Sequence, residues 1–311
     1  MNNIENMDIV KRINKLKKEK NAVILAHNYQ PEEIQRIADF IGDSLELCIK
    51  AEETDADIIV FCGVDFMAET AKILNENKKV LMPEIKDTEC PMAHQIPPET
   101  IINAKTEHPN AKVVIYVNTL SSAKALADAT CTSANADKIV NSFEEKEILF
   151  GPDQNLGYYV KKRTDKKIIG IPKDGHCYVH KKFTKEDILN MKKQHPNAEI
   201  LVHPECNPEV QDLADYVVST GGMLNHVLNS DKEEFIIGTE CDMITRLNLE
   251  LEKIGKTKIL IPLRKDAICE PMKQITLEKI ERCLIEEEYE IKLDKEIIKK
   301  AKKAIEYMLN V

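Results

Sequence analysis

Three segments of the chain align with one another without a gap, and this internal repeat constrains the fold more than any other feature. The segments begin at residues 22, 111 and 198, so their starts are 89 and 87 residues apart. They read AVILAHNYQPEEIQRIADFIGDS, AKVVIYVNTLSSAKALADATCTS and AEILVHPECNPEVQDLADYVVST. Each contains an aliphatic run typical of a buried strand, then a polar turn, an amphipathic helix and a second short strand. The pattern indicates that one structural unit occurs three times.

The likeness continues down each copy. A further strand ends at a glycine and leads into a helix, and a last strand is followed by a proline-containing loop that ends in a cysteine: VLMPEIKDTEC, IIGIPKDGHC and ILIPLRKDAIC. Strands that alternate with helices require crossover connections and therefore parallel sheets. We expect an α/β protein of three homologous three-layer αβα units around a pseudo-threefold axis. The predicted units are 1–106 with an N-terminal helix, 107–193, and 194–311 with C-terminal helices.

Composition excludes several classes of function. The 311 residues carry a net charge of -9, which disfavours a nucleic-acid partner because phosphate backbones are met by clustered Lys and Arg. No stretch approaches the roughly 18 apolar residues of a membrane span, and the first residues lack the apolar core of a signal peptide. We therefore expect a cytoplasmic protein without a membrane partner. Nine cysteines, at irregular spacing and without an export signal, favour reduced thiols over a disulfide framework.

The repeat also predicts which residues meet. In parallel α/β sheets the reactive groups lie beyond the carboxyl ends of the strands, and a threefold arrangement brings equivalent loops together. The candidate site residues after the first strands and the short strands are His27, Tyr29, Ser44, Tyr116, Asn118, Ser133, His203, Glu205 and Thr220. Their imidazole, phenol, carboxyl and hydroxyl groups suit proton transfer and the orientation of carboxylates. Asp39, Asp128 and Asp215 are also in register, but they lie at helix ends, where a packing or capping role is expected.

Three cysteines, Cys90, Cys177 and Cys269, occupy the same place in all three copies. Three thiolates can hold either zinc or an iron-sulfur cluster. In a four-iron cluster they leave one iron open to act as a Lewis acid. His180, three residues after Cys177, is the one local indication of zinc, and it fits a site role or a loop role equally well. Glu205, beside His203, is the candidate general base.

Two alternatives of other classes remain at this point. The first is a non-catalytic electron carrier or metal sensor, which would not need a ring of acid/base and hydroxyl groups. The second is a different enzyme on the same scaffold, a zinc hydrolase or an aconitase-like hydro-lyase. The chain has no GxGxxG segment, and residues 170–176 miss the phosphate-loop pattern. Nicotinamide-dependent and nucleotide-hydrolysing enzymes are therefore disfavoured.

Eight short segments, in order, resemble the signature segments of the quinolinate synthase family. They are HNYQ at 27–30, IGDS ending at Ser44, YVNT at 116–119, TSAN at 132–135, HPEC at 203–206, STGG at 219–222, GTE at 238–240 and CEPMKQITLEKI from Cys269. The resemblance extends from about residue 20 to the end of the chain. Cys269 stands alone where longer members carry a CxxCxxC run, and Cys241 is a nearby cysteine that would break the repeat register.

The resemblance implies a specific reaction and cofactor. The family condenses iminosuccinate (iminoaspartate) with dihydroxyacetone phosphate to quinolinate in NAD biosynthesis, and an iminosuccinate-producing enzyme is an expected functional partner. It implies a [4Fe-4S] cluster on Cys90, Cys177 and Cys269 with one open iron. The implied substrate-binding residues are His27, Ser44, Tyr116, Val117, Asn118, Ser133, His203, Pro204, Glu205 and Thr220. Tyr29, His203 and Glu205 are the implied catalytic residues, with Tyr29 assigned to isomerisation and Glu205 to dehydration.

Overall fold

Three parallel sheets of four strands form the framework of the protein. The computed structural model describes residues 3–311, so residues 1 and 2, where the first predicted unit begins, lie outside the described range. The first sheet contains β1 (Ala22–His27), β2 (Phe40–Gly42), β3 (Ile58–Cys62) and β4 (Lys79–Leu81). The second contains β5 (Lys112–Tyr116), β6 (Ala129–Cys131), β7 (Glu147–Gly151) and β8 (Lys167–Gly170). The third contains β9 (Glu199–Val202), β10 (Tyr216–Val217), β11 (Glu234–Gly238) and β12 (Ile259–Pro262).

All three sheets have the same topology. Their orders are β2-β1-β3-β4, β6-β5-β7-β8 and β10-β9-β11-β12, and the neighbouring strands within each sheet are parallel. The first strand of each unit is therefore an inner strand, as its unbroken aliphatic sequence predicts. The α/β class and the threefold repeat of parallel-sheet units are confirmed.

Helices connect the successive strands. In the first unit they are α1 (Asn3–Glu19), α2 (Glu32–Ile37), α3 (Ser44–Glu53) and α4 (Asp65–Leu74), and α5 (Pro98–Glu107) leads to the second unit. The second unit contains α6 (Ser121–Lys124), α7 (Ala136–Asn141) and α8 (Gln154–Lys161), and α9 (Lys185–Gln194) leads to the third. The remaining helices are α10 (Pro208–Leu213), α11 (Thr220–Asn229), α12 (Met243–Lys253), α13 (Leu277–Glu286) and α14 (Lys295–Asn310). Three 3₁₀ turns, Ala93–Gln95, His180–Lys182 and Glu270–Lys273, follow the three repeat cysteines.

The aspartates that the repeat places at helix ends bind the backbone of the central strands. The carboxylates of Asp39, Asp128 and Asp215 each accept a hydrogen bond of 2.8 Å, from the amides of Ile24, Val113 and Ile200 respectively. The same contact therefore occurs once in each unit, near the amino end of the central strand. Of the packing or capping role expected for these aspartates, the contacts show a structural role that fixes a strand, and the bonded amides belong to strands and not to helix ends.

Alternate residues of the central strands face two different apolar layers. Leu25, Val114 and Leu201, which are equivalent in the repeat, belong to one continuous core that all three units share. Their neighbours Ile24, Val113 and Ile200 instead face three separate outer clusters, one for each unit. Because side chains alternate along a strand, the sheets bury both faces, and the shared core holds the three units together.

The last two helices pack on the first and second units. In α13, Glu281 pairs with Arg12 of α1, and in α14 the backbone oxygen of Ala304 accepts a hydrogen bond of 3.3 Å from Thr130 Oγ1 of β6. The sequence-based division grouped both helices with residues 194–311. The periodicity of a sequence indicates that a terminal helix is amphipathic, but it does not indicate which sheet the helix packs on. The packing partners of α13 and α14 could therefore not be predicted from the sequence. The boundaries near residues 106 and 193 fall at the ends of α5 and α9 and stay a prediction.

Within residues 3–311, none of the helices combines the length and apolar character that a membrane-spanning helix needs.

Candidate functional site

One cavity lies where the carboxyl ends of the three central strands converge. His27 ends β1, Tyr116 ends β5 and His203 directly follows β9, so the repeat delivers an equivalent residue from each unit. The cavity encloses about 660 Å³ of empty space, part of it open to solvent. The sequence-predicted residues that line it are His27, Tyr29, Ser44, Cys90, Tyr116, Asn118, Ser133, Cys177, His203, Glu205, Thr220 and Cys269.

Two of the predicted substrate-binding residues do not line this cavity. Val117 instead faces a small apolar pocket beside α3 and α4. Pro204 contributes its backbone oxygen, which accepts a hydrogen bond of 2.8 Å from Gln211 Nε2. Any contact of these two residues with a substrate therefore stays a prediction.

The three repeat cysteines end the loops that follow the last strand of each sheet, and each is partly buried. Burial raises the pKa of all three thiols, to about 11 for Cys269 and further for Cys90 and Cys177. The neighbouring thiol of Cys269 also contributes to the raised pKa of Cys90 and of Cys177. Cys241, the other cysteine considered from the sequence, is not among the residues that line the cavity.

A chain of close polar contacts connects two tyrosines across the cavity. Tyr29 Oη lies 2.6 Å from Thr239 Oγ1, which lies 2.8 Å from His180 Nε2. His180 Nδ1 lies 2.7 Å from Glu205 Oε2, and Tyr116 Oη donates to Glu205 Oε1 at 2.6 Å. His180, which the sequence left open, therefore belongs to the site. Thr239 was missed, although it is the middle residue of the GTE segment.

Glu205 is the charged centre of this chain. Burial alone would raise the pKa of its carboxyl group, but the nearby charges of His180 and His203, with hydrogen bonds from His180 and Tyr116, lower that pKa to about 2. Burial, followed by the charge of Glu205, raises the pKa of Tyr29 and Tyr116 well above 10.0. At neutral pH the site thus holds an ionised carboxylate between protonated phenols.

His27 and His203 have matching backbone contacts. His27 Nδ1 accepts a hydrogen bond of 3.2 Å from the amide of Tyr29, and His203 Nδ1 accepts one of 3.3 Å from the amide of Glu205. Burial is the main cause that lowers the pKa of each imidazole to about 3, so both rings are neutral at pH 7. With Nδ1 an acceptor, Nε2 carries the hydrogen. His203 Nε2 lies 3.1 Å from Ser133 Oγ.

Polar groups on the other side of the cavity are held by contacts between units. Thr220 Oγ1 accepts a hydrogen bond of 3.0 Å from Asn28 Nδ2, and Asn28 Oδ1 accepts one of 3.1 Å from Arg246 Nε. Because Thr220 accepts from Asn28, its own hydroxyl hydrogen is free to point elsewhere. Asn118 Oδ1 is buried and has no hydrogen-bond partner among the described residues. A buried oxygen of this kind needs a ligand or a water.

Two compact groups within residues 3–311 have ligand atoms close enough for a single metal ion. They are Cys177 with His180 and Glu205, and Glu240 with Cys241 and Asp242, each with ligand atoms within 4.8 Å of one another. In the second group Lys273 Nζ already pairs with Glu240 and Asp242. The three repeat cysteines do not form such a compact group, whereas tetrahedral zinc with Zn–S bonds near 2.3 Å would hold its sulfurs about 3.8 Å apart. The compact group that includes a repeat cysteine is therefore Cys177 with His180 and Glu205.

Comparison with known proteins assigns the chain to a family. Residues 11–310 match the family model described as quinolinate synthetase A protein. The chain is 70% identical over 305 residues to a quinolinate synthase of Methanocaldococcus jannaschii, covering 98% of this chain and 99% of that protein. It is 58% identical to one of Methanothermobacter thermautotrophicus over 298 residues, 96% of each chain. It is 54% identical to one of Pyrococcus abyssi over 305 residues, 98% of this chain and 100% of that protein.

Proposed function

Since the chain belongs to the quinolinate synthase family, we propose that it condenses iminosuccinate with dihydroxyacetone phosphate. The two substrates contribute all seven carbons of quinolinate, and one phosphate and two waters leave. The product is the pyridine precursor in NAD biosynthesis. An iminosuccinate-producing enzyme must supply the first substrate, so we expect functional coupling to one.

We place a [4Fe-4S] cluster on Cys90, Cys177 and Cys269. The donor set supports this assignment, because the three soft ligands come from equivalent loops and line one buried cavity. When bound, such a cluster supplies one iron without a protein ligand, which acts as a Lewis acid toward a substrate oxygen.

Neutral donors hold the carboxylates of the iminosuccinate-derived part in this proposal. The cavity lining in the described part of the chain contains no Lys or Arg. The Nε2–H groups of His27 and His203 and the hydroxyls of Ser44, Ser133 and Thr220 are the available donors. Ser44 and Thr220 are also the first residues of α3 and α11, where helix amides favour an anion. The unpartnered Asn118 Oδ1 can accept a hydrogen bond from the substrate nitrogen.

Tyr29 and Glu205 transfer protons in this proposal, at isomerisation and at dehydration respectively. Thr239 and His180 connect the two groups through polar contacts of 2.6 to 2.8 Å. A proton taken up at one end can therefore be passed along the chain and released at the other. This removes the need for water to enter the cavity between the two steps.

The convergence of three equivalent cysteines on the cavity with the acid/base chain carries the proposal. Its test is an anaerobic assay for quinolinate from the two substrates, with iron, sulfide and zinc analysis of the same samples. We expect Cys90→Ala, Cys177→Ala and Cys269→Ala to lose both the cluster and quinolinate formation. Cys241→Ala is the matched control, because it removes a neighbouring thiol that does not line the cavity, and it should keep both. An active protein that contains zinc and no iron would refute the proposal.

A further inference from the structure

Three carboxylates to which the sequence analysis assigned no role occupy equivalent places in the three units. Asp65, Asp153 and Glu240 each follow a glycine by two residues, in the segments GVD, GPD and GTE. Each segment lies at the carboxyl end of the inner strand that neighbours the last strand of its sheet: β3, β7 or β11. The three acids therefore lie beside the loops that end in the repeat cysteines.

Each carboxylate accepts a hydrogen bond from the backbone amide of one repeat cysteine. Asp65 Oδ1 lies 3.0 Å from Cys90 N, and Asp153 Oδ2 lies 3.1 Å from Cys177 N. Glu240 Oε1 lies 3.2 Å from Cys269 N. The same contact occurs at all three proposed ligand cysteines and is made by two residue types, Asp and Glu. Because 24 to 29 residues separate the partners, closeness in the chain does not explain it.

Two of the carboxylates also bind a cationic or imidazole side chain four residues beyond the cysteine. Asp65 Oδ2 lies 2.7 Å from His94 Nε2, and Glu240 Oε1 lies 2.8 Å from Lys273 Nζ. Asp65 and Glu240 therefore hold both ends of the turn that begins at their cysteine.

In the second unit the carboxylate has a different second partner. There the other oxygen of Asp153 accepts a hydrogen bond of 2.7 Å from Leu156 N and so joins the cysteine loop to the start of α8. The side chain of Asp153 is almost completely buried, with 1% of its surface exposed. A rigid helix end takes the place of the side-chain partner in this unit.

We propose that Asp65, Asp153 and Glu240 are positioning residues that fix the three cysteine loops so that their sulfurs are directed at one common cluster. A carboxylate bound to the cysteine amide restrains the backbone of that cysteine and with it the direction of its Cα–Cβ bond. Groups that orient metal ligands in this way change metal affinity about 10- to 100-fold when removed. This inference rests on the cluster assignment in the proposed function.

The experiment compares Asp65→Ala, Asp153→Ala and Glu240→Ala with the wild type after anaerobic reconstitution. Iron and sulfide per chain and the electron paramagnetic resonance spectrum of the reduced cluster are measured at limiting iron. We expect about 10- to 100-fold weaker iron retention in each alanine variant and an altered spectrum. Asp65→Asn and Glu240→Gln, which keep an acceptor oxygen for the cysteine amide, should recover most of the cluster.

Asp128→Ala is the matched control. It removes an equally short carboxylate contact to a backbone amide, that of Val113, at the opposite end of a sheet of the same repeat. We expect this variant to lose stability in thermal unfolding but to keep a wild-type cluster and spectrum. Alanine variants with wild-type iron, sulfide and spectrum would overturn the inference, as would an equal loss in Asp128→Ala. If the wild type itself takes up no iron-sulfur cluster, the proposed function fails instead.

Discussion

At the scale of single residues, Asp43 joins two units at the wall of the cavity. Its Oδ1 accepts hydrogen bonds of 3.0 Å from the amides of Leu45 and Glu46, and its Oδ2 lies against Gly221 at the start of α11. A Cβ atom at residue 221 would lie 2.8 Å from Asp43 Oδ2. Any larger residue at 221 would therefore have to displace the Asp43 carboxylate.

Asp43 should make the protein more stable as the pH falls from 7 to 5, which is the opposite of the usual effect of a carboxyl group. Burial is the main cause that raises its pKa from 3.8 to about 6. Between those values the folded protein binds a proton that the unfolded chain releases, so this group stabilises the fold increasingly as pH falls below 6. From pH 7 to pH 5, the free energy of unfolding of the wild type should rise by about 1 kcal/mol relative to Asp43→Asn. Urea denaturation at both pH values measures this difference.

A parallel pH dependence of the wild type and Asp43→Asn would contradict this assignment. The control is Asp55→Asn, because Asp55 is exposed. The free energy of unfolding of the Asp55→Asn variant should change between the two pH values as that of the wild type does.

Glu205→Gln should separate catalysis from cluster binding. The amide keeps the size of the side chain but cannot take up a proton, so kcat should fall about 10²- to 10⁴-fold. Iron and sulfide content should stay at the wild-type level, because Glu205 is not a proposed ligand. Exposed Glu209→Gln on α10 is the control and should keep full turnover. Retained turnover in Glu205→Gln would remove Glu205 from its assigned role.

The register of the three repeats allowed part of the site to be predicted from the sequence. It identified His27, Tyr116 and His203 as residues that meet, because equivalent strand ends converge in a threefold arrangement. It could not identify Thr239, whose role depends on one hydroxyl reaching both Tyr29 and His180. Contacts of this kind are set by side-chain conformations across unit boundaries, and these leave no periodic signal.

At the scale of secondary-structure elements, α14 completes the second unit from a distance in the chain. Ala304, Ile305 and Met308 on one face of the helix are buried, and the Tyr307 ring stacks on Phe143 with centroids 4.9 Å apart. The amphipathic pattern of this segment predicts a helix with one buried face. Which partner it covers could not be predicted, since several sheets present apolar surfaces of the same kind.

Ile305→Ala should show how much α14 contributes to stability. The side chain is fully buried, so its truncation removes apolar contacts and leaves a cavity, which costs about 2–5 kcal/mol. Chemical denaturation measures the loss. Lys299→Ala, an exposed change on the same helix, should alter stability by about 0.5 kcal/mol or less. Similar effects of the two substitutions would mean that α14 is not firmly packed.

At the scale of the whole molecule, the three units are parts of one folding unit. Leu25, Val114 and Leu201 come from different sheets but share a single apolar core. The number of units and their parallel sheets followed from the repeat. The shared core could not be predicted from the repeat. An aliphatic strand has the same sequence pattern whether its unit has a separate core or shares one with the other units.

Leu201→Ala should therefore weaken all three units. Leu201 is fully buried, and the substitution should cost about 2–5 kcal/mol. Hydrogen exchange followed by mass spectrometry should show faster exchange in the central strands β1 and β5 as well as in β9. Leu189→Ala on α9 is the control, since that side chain is 45% exposed. Faster exchange confined to residues 194–262 would indicate that the third unit opens independently.

The position of α14 also affects the order in which the chain folds during its synthesis. The strands of the second unit end at Gly170, but α14, which packs on the edge strand β6, is residues 295–310. During synthesis on the ribosome this middle unit leaves the exit tunnel with the β6 edge of its sheet uncovered, while α14 is untranslated. Segments normally fold in order from the amino terminus as they emerge, and here that order is broken. The middle unit can reach its final form only after residues 295–310 have emerged.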